Sequence, residues 1–108
     1  MADIIATLST FPGVEGLCLL QSGQEAKVGG SRMKTAQLQD LAMQAAILFK
    51  MGTSEEFALH SVKYRFDQHN IIALADAAGA ILLIASEPQT NTSLIVNAVS
   101  KMFGDRFI

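Results

Sequence analysis

A chain of 108 residues is the size of one small domain, and half of its residues are hydrophobic, which is enough for a core and argues against disorder. The net charge of −2 comes without any run of like charges, so neither a nucleic-acid surface nor a polybasic membrane anchor is indicated. One cysteine excludes an internal disulfide framework. With no signal-peptide pattern, membrane-length apolar stretch, linker or repeat, we expect one cytoplasmic domain over residues 1–108.

Hydrophobic periodicity and turn residues predict the element order α-β-β-α-β-β-β-α. Pro12 and Gly13 end the first helix, Ser22-Gly23 supplies a two-residue hairpin turn, and Gly52 follows the longest helix. In chain order the predicted elements are a helix Asp3–Thr10, strands Gly16–Gln21 and Gln24–Val28, a helix Met33–Met51, strands Phe57–Phe66, Asn70–Ala75 and Ala80–Ser86, and a helix that begins after a cap at Thr90, Asn91 or Thr92 and ends at Gly104.

The composition of the strands predicts their order in the sheet. Leu17–Leu20 and Ile81–Ala85 are apolar on both faces, as central strands are, whereas Gln24–Val28 and Phe57–Arg65 alternate with charge, as edge strands do. With hairpin neighbours adjacent, the order is 2-1-5-4-3. The long helix must cross this sheet, and its length of about 28 Å exceeds the roughly 19 Å that five strands span. The predicted fold class is α/β, a five-stranded antiparallel sheet with helices on both faces.

The long helix carries apolar residues on two opposite faces. At 100° per residue its inner stripe consists of Leu38, Leu41, Ala42, Ala45 and Phe49. Its outer face carries Ala36, Met43 and Ile47, with Met33 and Met51 at the border.

A helix that is apolar on both sides is normally covered on both sides, so we expect another molecule to cover the outer face. The alternative is that Met43 and Ile47 are scattered surface hydrophobic residues among polar neighbours, which are common. The predicted edge strand Phe57–Phe66 favours the interface, because a long unprotected edge tends to pair.

The segment Phe11-Pro12-Gly13-Val14-Glu15-Gly16 before the first strand, the turn at Ser22-Gly23, and Asp76–Gly79 before the aliphatic strand Ile81–Ala85 resemble the Roadblock (dynein light chain) family. The resemblance extends over about residues 3 to 104. It implies a homodimer, or a heterodimer with a paralogue, in which the long helices pack side by side and the third strands pair into one sheet.

The resemblance also implies a non-catalytic scaffold for a small Ras-like GTPase or a motor complex, with no cofactor. Its dimer and partner surface would be formed by Met33, Ala36, Gln39, Asp40, Met43, Ile47, Lys50, Phe57, Leu59, Ser61 and Lys63. That functional step is an analogy at the level of the fold.

No chemical motif in the sequence predicts a catalytic or metal site. Ser31 and Lys34 have the Ser-x-x-Lys spacing of penicillin-binding enzymes without the motifs that accompany it. Gly29-Gly30-Ser31 lacks the remainder of a phosphate-binding loop and is better explained as a turn. His60 and His69 are too few for a metal site and are interpreted as a strand histidine and a loop histidine at the surface, and Cys18 as a buried thiol.

Two other functions fit a five-stranded sheet with small helices. One is a ligand sensor of the profilin or PAS type, and the other is a profilin- or longin-like trafficking module. A sensor needs a cavity with a few polar groups, and the predicted inward residues offer none. These residues are Leu17, Leu19, Ile81, Leu83, Ile95 and Val99.

Overall fold

The structure is a computed structural model that describes residues 4–21, 23, 25–30, 33–52, 61–66, 68–75 and 80–103. It contains the predicted elements in the predicted order. They are α1 (Ile4–Ser9), β1 (Val14–Leu20), β2 (Lys27–Gly29), α2 (Thr35–Gly52), β3 (Ser61–Phe66), β4 (His69–Ala75), β5 (Ile81–Ser86) and α3 (Thr92–Phe103).

The five strands form one antiparallel sheet in the order β2-β1-β5-β4-β3, which confirms the predicted topology. β5 lies at the centre, and Leu83 is registered with Cys18 of β1 on one side and Ala73 of β4 on the other. All six residues of β5 are buried. This burial follows from a strand sequence that is apolar on both faces, because such a strand is stable only when both faces are covered.

Helices cover both faces of the sheet, as predicted. Alternation along each strand sends successive side chains to opposite faces, so the buried residues divide into two clusters. The first packs α1 and α3 against the sheet through Ile5, Leu8, Ile95 and Val99, which meet Leu17, Leu19, Ile72, Leu74, Leu82 and Ile84. The second, which we call the α2 cluster, packs α2 against the other face, where it meets Cys18, Ile71, Ala73, Ile81, Leu83 and Ala85.

Several predicted boundaries were wrong by a few residues. β1 begins at Val14 because Val14 pairs with Ser86 of β5, and β2 is limited to Lys27–Gly29, which pair with Leu17–Leu19. α2 begins at Thr35 and not at Met33, since its first turn is closed by the Leu38 amide, which donates to the Lys34 carbonyl.

The N-cap of α3 is Asn91, one of the three predicted candidates Thr90, Asn91 and Thr92. The Ser93 amide donates to Oδ1 of Asn91 at 3.0 Å, so Asn91 supplies one of the partners that the first turn of a helix lacks. Gly104, the predicted end of this helix, lies outside the described residues.

Candidate interaction surface on the long helix and the outer strand

The rotation of α2 about its axis is fixed by its buried stripe. The buried residues of this helix are Leu38, Leu41, Ala42, Ala45 and Phe49, the five that periodicity predicted. The side chain of Leu38 lies directly on Gly16 of β1. If Gly16 carried a Cβ atom, that atom would lie 2.8 Å from Cδ2 of Leu38. A glycine in β1 therefore lets the helix approach the sheet closely, and the opposite side of α2 faces outward.

The outward side of α2 carries four large apolar side chains, which we call the outer patch. They are Met43, Ile47, Leu48 and Met51, and each is between 41% and 78% exposed. Met43, Ile47 and Met51 follow at intervals of four residues, which places them in one row along the helix. Most large apolar side chains described in this chain are buried, so a row of exposed ones marks a surface suited to a partner.

The other predicted residues of α2 surround the outer patch, with one exception. Ala36, Asp40 and Lys50 are exposed and Gln39 is half-buried. Met33 is the exception, because it precedes the helix and is only 8% exposed within the α2 cluster. Its predicted place at the border of the outer face was wrong for this reason, and it is not part of the outward surface.

The outer strand β3 lies beside the same cluster. Val62, Tyr64 and Phe66 are half-buried against the α2 cluster, and Ser61 and Lys63 are exposed. β3 is the last strand in the sheet order, so within the described part of the chain only its β4 side has a strand partner. Two residues of the predicted surface, Phe57 and Leu59, lie outside the described residues.

Of the three titratable groups interpreted as surface histidines and a buried thiol, the structure describes Cys18 and His69. Cys18 is a buried thiol, as predicted, and burial raises its pKa from the ordinary value. His69 is the first residue of β4 and not part of a loop, and its Nδ1 lies 2.9 Å from Oε1 of Glu15. His60 and Ser31 lie outside the described residues.

Among the described residues, no three His, Cys, Asp or Glu side chains are grouped to hold a metal ion. None of the helices in the described ranges has the length and apolarity needed to cross a membrane.

Two open clefts, which the sequence did not predict, adjoin the segment between β5 and α3. A cleft of about 380 Å³ is lined by Phe11, Pro12, Gly13, Glu87, Thr90, Asn91 and Leu94. A second cleft of about 250 Å³ is lined by Lys63, Tyr64, Asn70, Ile71, Thr90 and Thr92. Segments that are distant in the sequence form both clefts, so no local sequence signal could have revealed them.

Comparison with solved structures identifies a close match in fold. The crystal structure of the Roadblock/LC7 domain from Streptomyces avermitilis has a TM-score of 0.71 against this chain, covers 90% of it with 86% of its own length, and shares 13% sequence identity. No family model and no curated protein matches the sequence. The likeness confirms the Roadblock-like fold that residues 11–16 and the two turns predicted.

Proposed function

We propose that this chain is a non-catalytic adaptor that acts as a dimer and binds a small Ras-like GTPase or a motor complex. The observation that carries this proposal is the outer patch of Met43, Ile47, Leu48 and Met51. The Roadblock-like fold supports an adaptor role in general. The choice of a GTPase or motor partner follows by analogy with that fold family.

The patch supports dimerisation because exposed apolar area is costly in water. Burial of apolar surface stabilises an association by about 25 cal/mol per Å². The opposite face of α2 already packs in the core, so only another molecule can cover the outer patch. A copy of the same chain offers an identical patch, and a two-fold axis lets each patch cover the other.

The outer edge of β3 is the second part of the proposed surface. A sheet edge presents backbone donors and acceptors that another strand can satisfy. Pairing of β3 with a copy of itself would protect the outward amides of residues 61–66 from hydrogen exchange. We therefore expect their exchange to slow as protein concentration rises, while the amides of β5, at the centre of the sheet, exchange at a constant rate.

The dimer is tested by light scattering coupled to size exclusion. Wild-type protein should elute with twice the 11.6 kDa mass of the chain. Ile47→Arg places a charge in the patch and should give a monomer with an unchanged circular dichroism spectrum. The matched control is Leu94→Arg, which alters a side chain that is 55% exposed on α3, across the sheet from α2, and it should remain a dimer. A wild-type monomer at every concentration would contradict the proposal.

The partner class is tested separately. Ras-like GTPases encoded beside the gene for this chain should be titrated in their GDP- and GTP-bound forms against wild type, Ile47→Arg and Leu94→Arg. We expect a complex with wild type and with Leu94→Arg. If no such GTPase or motor subunit binds a chain that does form dimers, the adaptor function fails while the dimer stands.

A further inference from the structure

We propose that this chain carries a docking site on the face of its sheet opposite α2, and that the site binds an extended segment of a partner protein. The segment that fits the site places a carboxylate close to a large apolar side chain. The site consists of the two clefts that adjoin the segment between β5 and α3. It is independent of the proposed dimer, because the outer patch of α2 lies on the other side of the sheet.

Lys63 and Arg65 form the cationic end of the site. Lys63 is registered with Ile72 of β4, which belongs to the cluster under α1 and α3, and residues that are opposite in register share a face. Arg65 follows two positions later and lies on that face too. The backbone of Lys63 therefore borders the outer edge of β3, while its side chain lies on the α3 side. Both residues are exposed, so the helices do not cover this end of the face.

The charges of these two side chains are not balanced within the described part of the chain. Their register partners on β4 are Ile72 and Asn70, which are neutral, and neither cation forms an ion pair with a described residue. Two like charges thus stand two positions apart on one strand face, beside a cleft of about 250 Å³ that Lys63 lines. Charge complementarity favours a carboxylate at this place.

The neighbouring cleft of about 380 Å³ forms the apolar end of the site. Phe11, Pro12 and Leu94 contribute its apolar walls. Leu94 is 55% exposed, and among the described residues it is the only exposed large apolar side chain outside α2. An apolar side chain of a partner would remove this area from water. Glu87 also lines this cleft, and its Oε2 accepts a hydrogen bond from Gln89, so a partner's carboxylate is expected at the cationic end.

Thr90 joins the two ends, because it lines both clefts. The segment that carries it is held in place: the Glu87 amide donates to the Gly13 carbonyl at 2.8 Å, and Nδ2 of Asn70 donates to the Pro88 carbonyl at 2.9 Å. A site that is formed before binding loses less affinity to ordering. Both cleft volumes lie near or below about 300 Å³, the lower bound for small-molecule pockets, so the clefts suit single side chains of a docked segment.

A random peptide library displayed on phage tests the chemistry of the partner. Selections are run in parallel on the wild-type chain and on the variant K63E/R65E. We expect the wild-type selection to enrich peptides that carry Asp or Glu within a few residues of Leu, Ile or Phe, and the variant selection to lack them. Peptides that bind the outer patch of α2 should appear in both. Absence of the acidic and apolar class from the wild-type selection, or its equal enrichment on the variant, would overturn the proposal.

Fluorescence anisotropy of one enriched, labelled peptide at low salt then measures each end of the site. K63E/R65E should weaken binding by about tenfold or more, since two attractive charges become repulsive. Leu94→Ser should weaken it by about fivefold or more through the loss of apolar contact. The matched controls are Lys101→Glu, a charge reversal at an exposed position of α3, and Met51→Ser, which removes an exposed apolar side chain from α2. Both should change the affinity by less than about twofold.

Two further readouts keep this site separate from the proposed dimer and from a lipid surface. Leu94→Ser should keep the oligomeric state of wild type in light scattering, so loss of peptide binding with an intact dimer supports the site. Should K63E/R65E fail to fold by circular dichroism, Leu94→Ser decides, and unchanged peptide affinity in that variant overturns the proposal. Binding of phosphatidylserine vesicles that requires Lys63 and Arg65, without peptide enrichment, would overturn it in favour of a membrane surface.

Discussion

Nδ1 of His69 lies 2.9 Å from Oε1 of Glu15, so the first residue of β4 contacts a residue of β1 although β5 separates the two strands. Glu15 occupies the point where the register between β1 and β5 shifts, between Val14 and Gly16. Both side chains are largely shielded, with 15% and 12% exposed. At this bulge the Glu15 carboxylate reaches across the end of β5. It therefore connects β1 and β4, which are not neighbours in the sheet.

This contact should contribute measurably to stability. We expect Glu15→Ala and His69→Ala each to lower the free energy of unfolding by about 1 to 2 kcal/mol, since each removes a shielded hydrogen bond and leaves a polar partner behind. In a double-mutant cycle at pH 7, measured by urea unfolding, the coupling energy should be about 1 kcal/mol. A coupling below about 0.3 kcal/mol would show that the two side chains act independently.

Two glycines with similar backbone angles should respond differently to alanine. Gly23 has φ +76° and nothing within 4 Å of the position a Cβ would occupy, whereas a Cβ at Gly30, with φ +90°, would lie 2.7 Å from the carbonyl oxygen of Glu15. Gly23→Ala should cost about 1 kcal/mol from the left-handed conformation alone. Gly30→Ala should cost roughly 3 kcal/mol or more, because the obstructing atom belongs to the backbone of β1. Equal changes in the midpoint of urea unfolding would contradict the steric explanation.

Two methionines, one just before α2 and one near its end, distinguish core from surface. Met33 is 8% exposed and Met51 is 78% exposed. In the Ile47→Arg background, where association should not contribute, Met33→Ala should lower the free energy of unfolding by about 2 kcal/mol or more. Met51→Ala should change it by less than about 0.5 kcal/mol. The thermal unfolding midpoints of the two variants check this prediction. Equal destabilisation of both variants would contradict the structure.

The sequence predicted those features that depend on local periodicity. The five buried residues of α2 and the central position of β5 were both correct, because helical and strand repeats decide which side chains can share a face. Met33 was misplaced since the helical wheel was extended to a residue that precedes the first turn. A periodic argument holds only where the backbone is periodic.

Contacts between distant segments could not be predicted in this way. Glu15 and His69 are 54 residues apart, and their contact depends on a bulge that no residue in the sequence signals. The same holds for Thr90, which lines both clefts because two loops and two strands converge beside it. The candidate surface on α2 was predictable because it lies on one helix, and the outward position of Met43 and Ile47 follows from the inward position of the buried stripe.

The buried hydroxyl of Ser86 offers a stabilising substitution. Ser86 is fully buried at the end of β5, and its Oγ has no hydrogen-bond partner in the described part of the chain. Ser86→Ala removes a desolvated polar group and should raise the free energy of unfolding by up to about 1 kcal/mol. Thermal unfolding checks this, and a destabilisation above about 1 kcal/mol would indicate that the hydroxyl has a partner, such as a bound water.

The thiol of Cys18 should make the stability of the chain fall at alkaline pH. Burial raises the pKa of Cys18 above its ordinary value of 9.0, so the unfolded chain loses this proton at lower pH than the folded chain does. The contribution to stability is therefore complete below pH 9.0 and decreases as the pH rises toward the folded-state pKa. Burial also raises the pKa of Tyr64 from 10.0, which acts in the same direction at higher pH. We expect Cys18→Ala to be less stable than wild type at pH 7 by about 1 kcal/mol from the lost packing, and this difference should shrink as the pH rises from about 9 to about 11. Urea unfolding of both proteins in a Tyr64→Phe background isolates the thiol, and a difference that stays constant over that range would contradict the assignment.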